Sequence, residues 1–74
     1  MLSSEWHISA RIFSDAKIQI WYWILARPYG CTVPEIMEGT GYSYPMVEAC
    51  IHELYVTDRI SSDSNDHYYP ENDL

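Results

Sequence analysis

The chain has 74 residues, with eleven Asp and Glu against four Lys and Arg, for a formal net charge of −7. That length holds one small domain, near the size at which a single core is only just sufficient, and three Trp and seven Tyr supply large burial per residue. The charge opposes nonspecific binding to polyphosphate or an anionic membrane surface, and the two Cys lack the spacing of a disulfide framework or zinc site.

Residues 1–13 form an N-terminal segment in which Trp6, Ile8, Ala10 and Ile12 alternate as in a strand, while Leu2, Trp6, Ala10 and Phe13 share a helical face; helix is the favoured reading. The start, MLSSEWH, has no basic region leading into an apolar one, so a cytoplasmic chain is expected. Ser14 and Asp15 carry a capping signal for a helix running to about Ala26, stopped by Pro28 and Gly30. Within it Ile18, Trp21, Ile24 and Leu25 share a face expected to meet the core. Ile20, Tyr22 and Trp23 fall on other faces and need cover, either from Trp6 and Phe13 of the N-terminal segment or from a second copy. A homodimer held through Trp6, Ile20 and Trp23 is therefore expected. The apolar run Ile18 to Ala26 is interrupted by Gln19 and is too short to span a bilayer.

From Thr32 to Tyr55 the pattern is two short helices joined by a Gly-Thr-Gly turn. Thr32 suits the N-cap of the first, with Pro34 and Glu35 in its opening turn and Gly39 and Gly41 to stop it. Ser43 suits the N-cap of the second, with Pro45 in its first turn. Val47, Cys50, Ile51 and Leu54 then recur at i, i+3, i+4 and i+7, so they face a core while Pro45, Glu48, Ala49, His52 and Glu53 face outward. Arg59–Ser62 and His67–Tyr69 are β-prone and flank Asp63-Ser64-Asn65-Asp66, which predicts a hairpin, with Cys31–Val33 as a short third strand. Residues 71–74 form an acidic tail that frays.

The expected fold is mostly α with a small β-hairpin wing, a winged helix-turn-helix domain over residues 14–70. More narrowly, ARIFSDAKIQIWYWILA followed by CTVPEIMEGTGYSYPMVEACIHELYVTDRI resembles the DNA-binding domain of ArsR-type and MarR-type transcriptional regulators. The residues that carry the resemblance are Ile24-Leu25, Val33 to Ile36, Thr40-Gly41 and Leu54. It implies a regulator whose outward helix presents Ser, Thr, Gln, Arg or Lys and whose wing tip presents Arg or Lys. Here the helix carries Pro45, Met46, Glu48, Ala49, His52 and Glu53, and the wing tip Asp63 and Asp66. Metal-sensing members carry a Cys-x-Cys pair where this chain has Thr32 and Pro34, so that role is not carried over.

Two functions follow. In the favoured one, a small acidic regulator of transcription or another DNA transaction acts mainly through protein contacts. Its expected partner-binding residues are Tyr44, Met46, Glu48, His52, Glu53, Tyr68 and Tyr69, with Tyr42 and Tyr55 nearby, and a sharper variant has the acidic face imitate DNA to occupy a nucleic-acid-binding protein. The alternative is a dimeric sequence-specific repressor using Ser43, Tyr44, Ala49 and His52 on the bases or phosphates and Lys17, Arg27 and Arg59 on the backbone. Four basic residues are few for that task, since known binders neutralise about six to ten phosphates. No catalysis, cofactor or metal is expected, and the sequence does not reveal an effector. Glu48 and His52 sit one turn apart, but Cys50 points the other way, and His7, His52, His67 and the two Cys are scattered.

Overall fold

Nothing between residues 2 and 25 is a Gly or Pro. In the computed structural model, which describes residues 2–71 and side chains from residue 11 onward, that stretch is one continuous helix, α1 (Leu2–Leu25). Ser14 and Asp15 therefore do not begin a helix. A capping side chain matters only where the preceding residues are non-helical, and here both are simply exposed on a turn already made. Trp6 lies outside the residues whose side chains are described, as do Met1 and most of the acidic tail.

After α1 the chain reverses through Pro28 to Gly30, where Gly30 takes a φ of 103°. Helix α2 (Val33–Thr40) opens on a reciprocal cap: Thr32 Oγ1 accepts from the Glu35 N–H at 3.4 Å and the Thr32 N–H donates to Glu35 Oε1 at 2.9 Å. Such a cap contributes about 1 kcal/mol. The helix ends at Gly41, whose φ of 82° turns its N–H onto the Met37 carbonyl at 2.8 Å. Gly39 does not end it. That residue lies inside α2, where the Trp23 indole packs on it and leaves no room for a Cβ.

Helix α3 (Tyr44–Val56) starts after Ser43, which has cap geometry but makes no side-chain cap bond. Strands β1 (Ile60–Ser62) and β2 (Tyr68–Pro70) form an antiparallel hairpin in which Ile60 faces Pro70, Ser61 faces Tyr69 and Ser62 faces Tyr68. The expected third strand shrinks to a single bridge. Cys31 N–H donates to the Tyr68 carbonyl at 3.0 Å and Tyr68 N–H to the Cys31 carbonyl at 2.7 Å. Arg59 and His67 fall just outside the strands.

One buried cluster joins these elements. Helix α3 supplies Val47, Cys50, Ile51 and Leu54, as its apolar spacing predicts, and α2 supplies Ile36. Helix α1 supplies Ala16, Ile20 and Ile24, with Phe13 partly buried beside them. That phase differs from the one read off the sequence: Ile20 is fully buried, whereas Ile18 is 47 % and Leu25 40 % exposed. Since residues 20–25 are apolar on every side, periodicity could not choose a face, and the packing partners did. No helix among the described residues is long and apolar enough to cross a membrane.

Candidate functional site

Helix α3 divides into three outward sectors. Pro45, Ala49, His52 and Val56 form its most exposed line; Tyr44, Glu48 and Tyr55 lean toward the hairpin; Met46 and Glu53 lean the other way. The hairpin sector is concave. Glu48, Ile51, His52, Tyr55, Ser62 and Tyr68 line a recess of about 210 Å³. A second recess, of about 320 Å³, lies between Tyr44 and Glu48 on α3, Pro34 on α2, and Asp66 and Tyr68 on the hairpin. Glu48 and Tyr68 border both, so the two are one groove.

Each wall has a local cause. The spacing of Tyr44, Glu48 and Tyr55 stacks them along one side of α3. Tyr68 is fixed from behind by its paired backbone bonds to Cys31 and from the side by β1. Asp66 reaches the groove because the hairpin loop closes tightly. Asp63 Oδ1 accepts from the N–H groups of Asn65 at 2.9 Å and His67 at 3.0 Å, and Asp66 takes a φ of 62°, a left-handed conformation that Asp tolerates.

The groove is electronegative. Its lining contains two carboxylates and three phenols and no Lys or Arg. The nearby Glu48 carboxylate holds the Tyr44 phenol above its ordinary range. Burial, followed by the charges of Glu48 and Asp66, does the same to Tyr68. Aromatic faces beside fixed carboxylates attract a cation both through the ring quadrupole and through charge-assisted hydrogen bonds, the combination that suits a guanidinium or an ammonium group.

Of the residues expected to bind a partner, the structure brings together Tyr44, Glu48, His52 and Tyr68. It separates the other three. Met46 packs half-buried against the core, as does Tyr42. Glu53 turns toward α1, with Oε1 3.9 Å from Lys17 Nζ. Tyr69 occupies the opposite face of the hairpin, where its hydroxyl donates to Asp63 Oδ2 at 2.7 Å and its ring covers Gly30. Strand alternation forces that result, because neighbours in β2 point to opposite faces. Tyr55 belongs to the groove and was legible from its helical spacing. Asp66 belongs to it only because the loop folds back.

The basic residues do not gather into one strip: two of them, Lys17 and Arg59, meet on the α1 flank of α3, and Arg27 and Arg11 lie elsewhere. Lys17 and Arg59 flank a recess with Ile18, Trp21 and Leu54, where the Arg59 guanidinium lies 4.8 Å from the Trp21 ring centre. Arg27 lies in a different recess with Glu35 and Glu38, stacked 3.4 Å above the Trp23 ring and donating to the Trp23 carbonyl. Arg11 is exposed on α1. Of the other residues proposed to touch DNA, Ser43, Tyr44, Ala49 and His52 are all exposed, and Ala49 and His52 lie on the outermost line of α3.

Both cysteines are free and buried. Burial, reinforced by Glu35, pushes the Cys31 thiol up to about 11, and burial also raises Cys50, so both stay neutral near pH 7 and are poor nucleophiles. No three His, Cys, Asp or Glu among the described residues cluster as a metal site. Compared with known protein families, curated proteins and solved structures, the chain matches none.

Proposed function

We propose that this chain is a small acidic winged helix-turn-helix regulator of transcription or another DNA transaction, and that it works mainly by docking a basic protein segment in the groove between α3 and the hairpin. One observation carries this reading: Glu48, Asp66, Tyr44, Tyr55 and Tyr68 line the side of α3 nearest the hairpin, and no Lys or Arg is among them. Phosphates brought to that surface meet like charge, whereas an Arg or Lys side chain meets carboxylates and aromatic faces. One form this takes is occupancy of a nucleic-acid-binding protein in place of DNA.

A repressor acting directly on DNA is the second reading. It is favoured by the uncharged outer line of α3, since Glu48 and Glu53 lean to the flanks instead of facing straight out. An NMR titration with an arginine-rich peptide, run beside a mobility shift with mixed DNA fragments over a salt series, separates the two. The docking reading expects peptide-induced shifts at Tyr44, Glu48, Tyr55 and Tyr68 and no specific DNA band. Binding should weaken about tenfold in the Glu48→Gln, Asp66→Asn double variant, which removes two facing charges. A specific band whose affinity falls steeply with salt would give the DNA reading first place.

A further inference from the structure

Helix α1 carries a face that, among the described residues, stays largely exposed. Ile18 is 47 %, Tyr22 62 % and Leu25 40 % exposed, and Arg11 and Asp15 on the same side are also exposed. Positions 11, 15, 18, 22 and 25 are separated by alternating steps of four and three, the spacing that keeps one seam of a helix facing a partner helix. Followed toward the N-terminus, the same steps reach positions 8 and 4, which hold Ile and Ser in the sequence. The buried core, by contrast, uses Phe13, Ala16, Ile20 and Ile24 on the other side of the helix.

We infer that a second copy of the chain covers this face, with the two α1 helices antiparallel about a two-fold axis between Arg11 and Asp15. The charges choose the direction. A parallel pair in register sets Arg11 against Arg11 and Asp15 against Asp15, whereas the antiparallel pair sets Arg11 against Asp15 twice, once on each side of the axis. Neither side chain forms an ion pair with another described residue of its own chain.

The interface replaces the one expected from Ile20 and Trp23. Ile20 is fully buried within its own chain and has no surface to offer, and Trp23 is half-buried against Gly39 and Arg27.

The test is a charge exchange read by sedimentation equilibrium of the full chain across the micromolar range. The wild type is expected to dimerise, and Arg11→Asp and Asp15→Arg should each weaken the dimer about tenfold or more by setting like charges together. The Arg11→Asp, Asp15→Arg double variant should return to within about threefold of the wild type, as coupled partners do. Ile18→Asp should give a monomer whose circular dichroism matches the wild type, which distinguishes a lost interface from a lost fold. A wild type that stays monomeric overturns the inference. So does a double variant no better than either single one, because a pairing without Arg11 opposite Asp15 gains nothing from the exchange. Neither result bears on what the groove binds.

Discussion

At the scale of single residues, the phase of α1 decides the most, and a pair of substitutions reads it directly. Ile20 has no exposed surface and sits in the buried cluster, whereas Ile18, two positions away, is half in solvent. Ile20→Ala leaves a cavity and should cost about 2–5 kcal/mol, a large part of the roughly 5–15 kcal/mol that holds a domain together. Ile18→Ala should change monomer stability by about 0.5 kcal/mol or less. Urea unfolding at a concentration low enough to keep the chain monomeric checks both, and equal effects would mean that the helix is turned differently. Trp23 makes a related point. Its indole lies against Gly39 and under Arg27, so an aromatic residue that looks available for a partner is already engaged by one glycine and one cation.

Among the elements, the hairpin depends most on a single side chain. Asp63 ties three residues of the loop and of β2 together: it accepts from the N–H groups of Asn65 and His67 and from the Tyr69 hydroxyl. Those bonds, the Tyr69 hydroxyl first, hold the Asp63 carboxyl below its ordinary value. The sign follows from that direction. Because the folded form holds the proton less tightly than the unfolded one, the contribution is complete above the ordinary value of 3.8 and is lost as the pH falls below it. Asp63→Ala, or acid below that pH, should speed amide exchange in β1 and β2 while leaving α2 and α3 protected, since the helices keep their own core. Uniform exposure of all the elements would instead mean that the hairpin does not open by itself. Loosening it should also weaken the groove, because Asp66 and Tyr68 stand on it.

The whole molecule is governed by its excess of acid. A net charge of −7 on 74 residues repels itself, so added salt should raise the unfolding midpoint until the screening length falls below the spacing between charges, about 10 Å at 0.1 M. Alkali works against the fold by a separate route. Cys31, Cys50, Tyr44, Tyr68 and Tyr69 all hold their protons more tightly than their ordinary values. Raised values in acids mean stability that is complete below the unfolded range and disappears as the pH climbs through it. The urea midpoint should therefore stay level up to about 9 and then fall toward 11, the range over which the Cys31 thiol is shifted. A midpoint unchanged across that range would show that these groups are as free in the folded chain as in the unfolded one.

Much of the architecture was legible from local chemistry alone. The Thr32 cap, the stop at Gly41, the buried stripe on α3 and the Asp63–Asp66 turn each depend on residues only a few positions apart, and each formed as read, although the reciprocal Glu35 bond of the cap was not foreseen and Gly39 does not share in the stop. Four groove residues, Tyr44, Glu48, His52 and Tyr68, were likewise named from residue type and helical direction. The face of α1 was not legible, because a helix apolar on all sides has no internal preference and takes its orientation from whatever packs on it. The sites of Tyr69, Glu53 and Asp66 were hidden for the same reason: a strand face, an α1–α3 contact and a folded-back loop exist only once distant segments meet. Local propensity thus set where helices and turns begin and end, while tertiary packing decided which surfaces were left over for function.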